Sequence, residues 1–145
     1  MKVRDLLAKK PSGVITISPD ETLRAASEVL AEHNIGALVV VDAAGLPVGI
    51  LSERDIVRAV ATGGETALRL SVSAVMTKDL IIAVPEDDAA YLIRTMTDRR
   101  IRHLPIMHDQ RLAGMVSIGD VVKAQRDFFE DEARTLERYI TGAKA

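Results

Sequence analysis

The sequence contains no cysteine and no tryptophan, and its 145 residues include only two tyrosines and two phenylalanines. The absence of cysteine excludes disulfide bonds, thiolate metal sites and a cysteine nucleophile, and it is consistent with a reducing compartment. Because aromatic side chains are so few, the hydrophobic core must be built mainly from Val, Ile, Leu, Ala and Met. We therefore expect a fold that is stabilised by aliphatic packing without covalent cross-links.

The sequence also lacks a strong charge imbalance and a long apolar segment. Its 19 basic and 21 acidic residues give a formal net charge of −2, so bulk electrostatics favour neither nucleic acid nor a membrane surface. The longest strongly apolar stretch, Ile35–Val41, is far shorter than the roughly 20 residues that span a bilayer. The basic N-terminal residues are not followed by the apolar region of a secretory signal. We expect a cytoplasmic protein that binds neither nucleic acid nor membrane.

What the sequence does contain is an internal duplication. Ile17–Glu21 and Ala83–Asp87 are similar segments that lie 66 positions apart. Gly49–Asp55 and Gly114–Asp120 repeat at an offset of 65, and a predicted hairpin turn accounts for the lost residue. Two copies are too few for a solenoid, so the duplication predicts two similar halves related by a pseudo-twofold axis. Equivalent loops would then face each other and form paired clefts.

Each copy predicts the element order strand, helix, strand, strand, helix, after a short helical lead-in. Ser18 is expected to cap the first helix of the first copy, which then carries apolar residues at helical spacing. Ile35–Val41 and Ile101–Met107 are predicted to be buried strands, each followed by a hairpin and a return strand that contains glycine. Ser52 and Ser117 then begin the second helices.

The charged C-terminal segment predicts an amphipathic helix. Phe129, Leu136 and Ile140 are seven and then four positions apart, which places them on one helical face. Because such a stripe on a lone helix needs a covering surface, we expect a homodimer. We divide the chain into a first repeat at 1–64, a second repeat at 65–124 and a C-terminal amphipathic helix and tail at 125–145.

In this order, the motifs resemble those of the CBS-domain family, and specifically a stand-alone tandem CBS pair. Four matching features occur twice over about residues 1–124. They are a short hydrophobic segment that leads into a proline, the buried strand, the return strand with glycine, and a Ser-x-x-Asp motif. The resemblance implies an α/β (α+β) fold in which two βαββα repeats pack with pseudo-twofold symmetry. It also implies a non-catalytic regulatory module whose clefts bind AMP, ADP, ATP, NAD or S-adenosylmethionine and signal to a partner protein.

The residues alone leave two interpretations of the Ser-x-x-Asp motif open. A serine at a helix start with an acidic residue three positions later is an ordinary capping box and needs no ligand. The same helix start offers unpaired N–H groups and a positive dipole end to a phosphate. An ionised aspartate can also accept both hydroxyl protons of a ribose. The presence of two such motifs in a fold that resembles nucleotide-binding modules favours ligand binding.

The resemblance implies a role for each candidate residue. Asp55 and Asp120 would hold riboses, and Ser52 and Ser117 would lie near phosphates. Thr16 would end the strand that borders the base. Ile82 is the counterpart of Thr16 in the second repeat. The apolar residues expected around the base are Ile35, Ala37 and Ile101. The basic residues expected near phosphates are Arg54, Arg102, His103 and Lys123. Because the repeats differ at the charged positions, we expect the two sites to be occupied unequally.

Other function classes have less support in the sequence. No nucleophile is paired with a general base at a recognisable spacing, so we expect no catalytic residues and no required cofactor. The three histidines do not have a metal-ligand spacing, and a basic cluster at Arg94–Arg102 has no interleaved aromatic residue to stack on bases. The alternative that remains open is a constitutive dimeric interaction scaffold with no physiological ligand.

Overall fold

The computed structural model describes residues 1–10 and 13–142. The first part of the chain contains α1 (Val3–Ala8), β1 (Thr16–Ile17), α2 (Leu23–His33), β2 (Ala37–Val41), β3 (Pro47–Ser52) and α3 (Glu53–Gly63). The second part contains a 3₁₀ helix (Gly64–Arg69), α4 (Val72–Val75), α5 (Ala89–Arg99), β4 (His103–His108), β5 (Arg111–Ser117) and α6 (Ile118–Thr141). The predicted mixed fold with two repeats and a C-terminal helix is confirmed.

The two repeats have similar sheets of unequal length. In the first, β1 pairs parallel to β2 and β2 pairs antiparallel to β3. In the second, β4 pairs antiparallel to β5, and the predicted strand before α5 is reduced to a single parallel bridge between Ala83 and Ile106. Pro105 lies at the position equivalent to Val39 and has no backbone N–H, so it cannot extend this ladder.

Helix α2 begins later than the sequence predicts. Thr22 is its N-cap, and the Thr22 hydroxyl accepts a hydrogen bond of 3.1 Å from the backbone N–H of Ala25. The expected cap, Ser18, instead closes a turn in which its side-chain oxygen accepts from the N–H of Asp20 at 3.3 Å. The prediction for Ser18 was wrong because a second capping residue, four positions later, directly precedes the first buried position, Leu23.

The lead-in segments are exchanged between the repeats. The backbone N–H of Val3 donates to the carbonyl of Asp87 at 2.9 Å, and the N–H of Val72 donates to the carbonyl of Glu21 at 2.7 Å. Val3 and Leu6 are buried in the core of the second repeat, whereas Val72 is buried in the core of the first. Each repeat therefore completes its hydrophobic core with a segment that precedes the other repeat.

Two glycines of the return strands make room for this exchange. A Cβ atom placed on Gly49 would lie 2.5 Å from Sδ of Met76, and one placed on Gly114 would lie 2.6 Å from Cδ2 of Leu7. Real Cβ atoms do not approach other atoms so closely, so a larger residue at either position would force the Met76 or Leu7 side chain to move. The glycines that recur in the duplicated motif thus receive the lead-in side chains of the opposite repeat.

Helix α6 joins two predicted helices into one. It runs without a break for 24 residues, from the Ser117 cap through the predicted start of the tail helix. Val121 and Ala124 are buried at its beginning, while Phe129 and Leu136 are both 59% exposed further along. Within the described residues, no helix combines the length and the apolar composition needed to cross a bilayer.

Candidate ligand-binding clefts

Both Ser-x-x-Asp motifs form capping boxes. At the start of α3, Oδ2 of Asp55 accepts from the N–H of Ser52 at 2.9 Å, and Oγ of Ser52 accepts from the N–H of Asp55 at 3.2 Å. At the start of α6, Asp120 and Ser117 make the same two bonds at 2.9 and 3.0 Å. The sequence pattern therefore has its structural role in both copies, and a ligand role must depend on what surrounds each motif.

The capping box leaves binding capacity unused at the start of α3. The Ser52 oxygen accepts a hydrogen bond there, but its hydroxyl proton remains able to donate. The Asp55 carboxylate accepts through Oδ2, which leaves lone pairs on both oxygens for further donors. The positive end of the α3 dipole lies at the same place and favours a negatively charged group.

The first cleft lies at this corner and is built from both repeats. It has a volume of about 310 Å³. The first repeat contributes Gly36, Ile50 and the start of α3, and the second contributes two segments, 77–81 and 100–103. The lining residues are Gly36, Ile50, Ser52, Glu53, Arg54, Asp55, Arg58, Thr77, Asp79, Leu80, Ile81, Arg100, Ile101, Arg102 and His103.

Four arginines line the first cleft. Arg54 and Arg58 are one turn apart on α3, and Arg100 and Arg102 follow α5. All four are exposed, and none forms an ion pair with another residue of the described chain. Three carboxylates also line the cleft, but the four arginines outnumber them, so the lining has a net positive charge.

Sequence analysis identified two of these arginines and missed the other two. The structure brings Arg54 and Arg102 together from different repeats. Arg58 was detectable, since it follows Arg54 by one helical turn and therefore shares its face. Arg100 occupies the left-handed position that ends α5, with φ of 55°, which directs the chain back toward the cleft segment. Nothing in the local sequence pattern specified that turn.

His103 is close enough to charged groups of both repeats for their charges to act on its ring. Its side chain lines the first cleft, and an ideal Cβ on Gly36 would be 3.7 Å from its Nε2 and 3.5 Å from Oε1 of Glu53. Burial lowers the pKa of the His103 imidazole below its ordinary value, and the nearby carboxylate of Asp120 only partly opposes this effect. The ring is therefore neutral near pH 7 and offers one donor and one acceptor.

The second cleft is the pseudo-symmetric counterpart of the first. It has a volume of about 390 Å³ and is lined mostly by apolar groups. The lining residues are Leu7, Lys10, Gly13, Val14, Ile15, His33, Ile35, Ala37, Ala113, Gly114 and Met115. Of the predicted site residues, Ile35 and Ala37 lie here, whereas Ser117 and Asp120 are not among its lining residues.

Lys10 occupies the acidic corner of the second cleft. Its ammonium group donates to Oδ2 of Asp120 and to the carbonyl of Met115, both at 2.7 Å. Burial raises the pKa of the Asp120 carboxyl, but the hydrogen bonds from Lys10 and Ser117 and the charge of Lys10 outweigh it and hold the pKa below its ordinary value. Asp120 is therefore an ionised carboxylate that already has a cationic partner.

Besides Ser117 and Asp120, three further predicted site residues line neither cleft. Thr16 and Ile82 line neither cleft, and the residues that do are their neighbours Ile15 and Ile81. Side chains alternate along an extended chain, so Thr16 and Ile82 lie on the opposite face from the neighbours that line the clefts. Lys123 is exposed on α6 and also lines neither cleft.

The described residues offer no metal centre. Within residues 1–10 and 13–142, no group of three or more His, Asp or Glu side chains is arranged to hold a metal ion. The charged groups of the first cleft are instead arranged around an open volume, with arginines as the majority. This arrangement suits an organic ligand that carries negative charge.

Comparison with known proteins identifies relatives of the whole repeat pair. The chain is 39% identical over 127 residues to the mitochondrial CBS domain-containing protein CBSX3 of Arabidopsis thaliana, a match that covers 85% of this chain and 62% of that protein. Among solved structures, the CBS-domain containing protein ATU1752 from Agrobacterium tumefaciens is 45% identical with a TM-score of 0.83. That match covers 86% of this chain and 99% of the solved one.

A further solved structure contains ligands. The CBS domain pair of protein MJ0100, in complex with 5′-methylthioadenosine and S-adenosyl-L-methionine, is 27% identical with a TM-score of 0.76. The match covers 88% of this chain and 97% of that one. The family model described as CBS domain matches residues 3–62 and again residues 72–127, which together are more than half of the sequence. The chain therefore belongs to the CBS domain family, as a tandem pair of repeats.

Proposed function

We propose that this chain is a non-catalytic regulatory module that binds an adenosine-containing nucleotide (AMP, ADP, ATP or NAD) in the first cleft and passes its occupancy to a partner protein. The observation that carries the proposal is the combination of the Ser52–Asp55 corner with four arginines around one cleft, none of which has an ion-pair partner within the described residues. The ligands of the related MJ0100 pair support an adenosine-containing compound as the ligand class.

Each part of such a nucleotide has a suitable partner in the first cleft. The free acceptor capacity of Asp55 suits the two ribose hydroxyls, and the Ser52 hydroxyl can donate to a phosphate. Ile81 and Ile101 provide apolar surface for the base. The volume of about 310 Å³ is at the lower end of the range of roughly 300–1,000 Å³ for ligand pockets.

The arginines favour a ligand with several phosphates. Guanidinium groups bind phosphate oxygens in a bidentate manner, and an ionised phosphate chain can contact more than one of them. S-adenosylmethionine has one carboxylate and no phosphate, and its sulfonium charge is repelled by the same groups, so it would gain less. We therefore rank ATP and ADP above AMP, and AMP above S-adenosylmethionine, as ligands of the first cleft.

Ligand binding would couple the two repeats. Arg54 and Asp55 belong to the first repeat, whereas Arg102 and His103 belong to the second, and all four line one cleft. A nucleotide that contacts both sides stabilises the relative orientation of the repeats that brings these groups together. A ligand shifts a conformational equilibrium by its differential affinity for the two states, so this bridging geometry suits a sensor.

A melting-temperature screen of the full chain tests the proposal. The five ligands of the screen are AMP, ADP, ATP, NAD and S-adenosylmethionine. At a concentration of one hundred times Kd, a ligand adds about 2.7 kcal/mol to the free energy of unfolding, or roughly 5–10 °C in Tm for a domain of this size. We expect the largest shift with ATP or ADP. Inorganic triphosphate at the same concentration is the control for non-specific anion binding. No shift with any of the five ligands would support the scaffold alternative instead.

The scaffold alternative is supported by the exposed face of α6. Leu136 and Phe129 are each 59% exposed, and Ile140 is 73% exposed, although all three are large apolar side chains. Apolar side chains aligned on one helical face mark an interaction surface. We propose that a second copy of the chain covers this face in a homodimer, which is compatible with either function.

Replacing Leu136 by glutamate is expected to convert this dimer to a monomer, because it buries a charge in an apolar interface. Sedimentation equilibrium of the variant should give half the mass of the unmodified protein. The control is Leu46→Glu, since Leu46 is an exposed leucine, at 43%, outside α6. A dimer in both variants would show that α6 is not the contact surface.

The location in the cytoplasm also stays a prediction, because the Arabidopsis relative is named as mitochondrial.

A further inference from the structure

The Lys10 ammonium takes up one of the two Asp120 oxygens that the two hydroxyls of a ribose would need in the second cleft. Oδ2 of Asp120 accepts from the N–H of Ser117 at 2.9 Å and from Nζ of Lys10 at 2.7 Å. A carboxylate oxygen has two lone pairs, so this oxygen has no capacity left. Lys10 also donates to the carbonyl of Met115. With Lys10 in place, only Oδ1 of Asp120 keeps free acceptor capacity, and the second cleft is lined by Lys10 in place of the carboxylate.

Within the described residues, no cation is bonded to the equivalent aspartate of the first cleft, Asp55. Oδ2 of Asp55 accepts only from the N–H of Ser52 within the described chain. The carbonyl of Ile50, which is equivalent to that of Met115, accepts a hydrogen bond from the backbone N–H of Thr77 at 2.9 Å. No lysine side chain enters there, and Asp79 lines the cleft instead. Each corner thus has its own capping box, and the two differ in whether the aspartate has a cationic partner.

The Lys10 contact is strong enough to exclude a neutral competitor. The ammonium and carboxylate side chains are only 35% and 34% exposed, so solvent screens their attraction incompletely. A ribose hydroxyl is a neutral donor and gains less from an ionised carboxylate than an ammonium group does. The ribose would therefore have to displace Lys10 before it could bind Asp120, and the displaced ammonium would lose two hydrogen bonds.

We propose that Lys10 is an intramolecular competitor that closes the ribose position of the second cleft, so that the chain binds one nucleotide, in the first cleft. This inference rests on the proposed function, because it assumes that the first cleft binds a nucleotide through Asp55. The sequence predicts that the two clefts are occupied unequally, and the Lys10 contact gives a specific cause. Lys10 prevents a ribose from binding in the second cleft, and loss of the contact would allow it to bind.

Counting the ATP molecules bound per chain tests this inference. Isothermal titration calorimetry and equilibrium dialysis of the full chain should give one ATP per chain. Lys10→Met removes the ammonium while keeping a flexible side chain of similar length, and it should give two. The affinity of the second cleft should rise by about tenfold or more, because charge-assisted hydrogen bonds to a partly buried carboxylate hold the closed state.

Matched variants separate the possible outcomes. Lys9→Met makes the same substitution at the neighbouring exposed lysine and should leave one ATP per chain. Lys10→Gln, with an uncharged polar side chain, should give two, as Lys10→Met does. Adding Asp120→Asn to Lys10→Met should remove the second binding event.

Two ATP molecules bound to the unmodified chain, or one bound to both Lys10 variants with Asp55→Asn removing it, would overturn the inference while leaving the proposed function intact. No ATP bound to any variant would overturn both.

Discussion

Replacing Asp55 by asparagine is expected to weaken nucleotide binding by about 30- to 150-fold. The side-chain amide can still accept the capping bond that Oδ2 of Asp55 now accepts from Ser52, so α3 should keep its start. It has lost the negative charge and one of two acceptor oxygens, however, and hydrogen bonds to charged groups are worth about 1.5–3 kcal/mol. A loss of about 2–3 kcal/mol corresponds to the stated change in Kd, measured by titration calorimetry with ATP.

Asp120→Asn is the matched control for this prediction. It makes the same substitution in an equivalent capping box, but at the corner that Lys10 already fills. We expect the Kd of the first cleft to change by less than about threefold. If Asp120→Asn weakened ATP binding as much as Asp55→Asn does, the proposal that the nucleotide binds only at the Asp55 corner would be wrong. A cooperative thermal unfolding transition of each variant without ATP would show that both remain folded.

Replacing Leu6 by alanine is expected to lower the free energy of unfolding by about 2–5 kcal/mol. Leu6 is only 2% exposed and packs in the core of the second repeat, although it lies more than 70 positions before that core. Truncating a buried leucine removes its transfer free energy and leaves a cavity that the surroundings fill only partly. Chemical denaturation of the full chain, analysed at a constant m-value, measures the effect.

The control for Leu6→Ala is the same substitution at Leu46. Leu46 is 43% exposed in the β2–β3 hairpin, and its truncation should change stability by no more than about 0.5 kcal/mol. A small effect of Leu6→Ala, similar to that of Leu46→Ala, would mean that α1 frays from the second repeat in solution. The exchange of lead-ins would then contribute little to the stability of the protein.

The parts of the fold that depend on local pattern were predictable from the sequence. The order of strands and helices follows from buried runs such as Ile35–Val41 and from the Ser-x-x-Asp motifs, which do begin α3 and α6. Arg54 and Arg102 were also identified as candidates from their sequence positions, and the structure places both in one cleft. Errors of one to four residues arose where two candidate residues competed for one role, as at Ser18 and Thr22.

The features that depend on distant contacts were not predictable in this way. Lys10 lies 110 positions before Asp120, and nothing in its neighbourhood specifies that its side chain reaches that carboxylate. The exchanged lead-ins have the same cause, since Val3 and Val72 would fit either core by size and hydrophobicity alone. A periodic sequence pattern indicates which face of a segment is buried, but not which repeat covers it.

The exchange of lead-ins has a consequence for synthesis on the ribosome. Val3 and Leu6 emerge first, but the residues that enclose them extend to Val121 and Ala124. At elongation rates of about 5–20 residues per second, roughly 5–25 s pass between the synthesis of α1 and the synthesis of the last residues that pack against it. The first repeat waits a shorter time, since Val72 follows it closely. The core of the first repeat is therefore complete before that of the second, and α1 stays unburied until the start of α6 has been made.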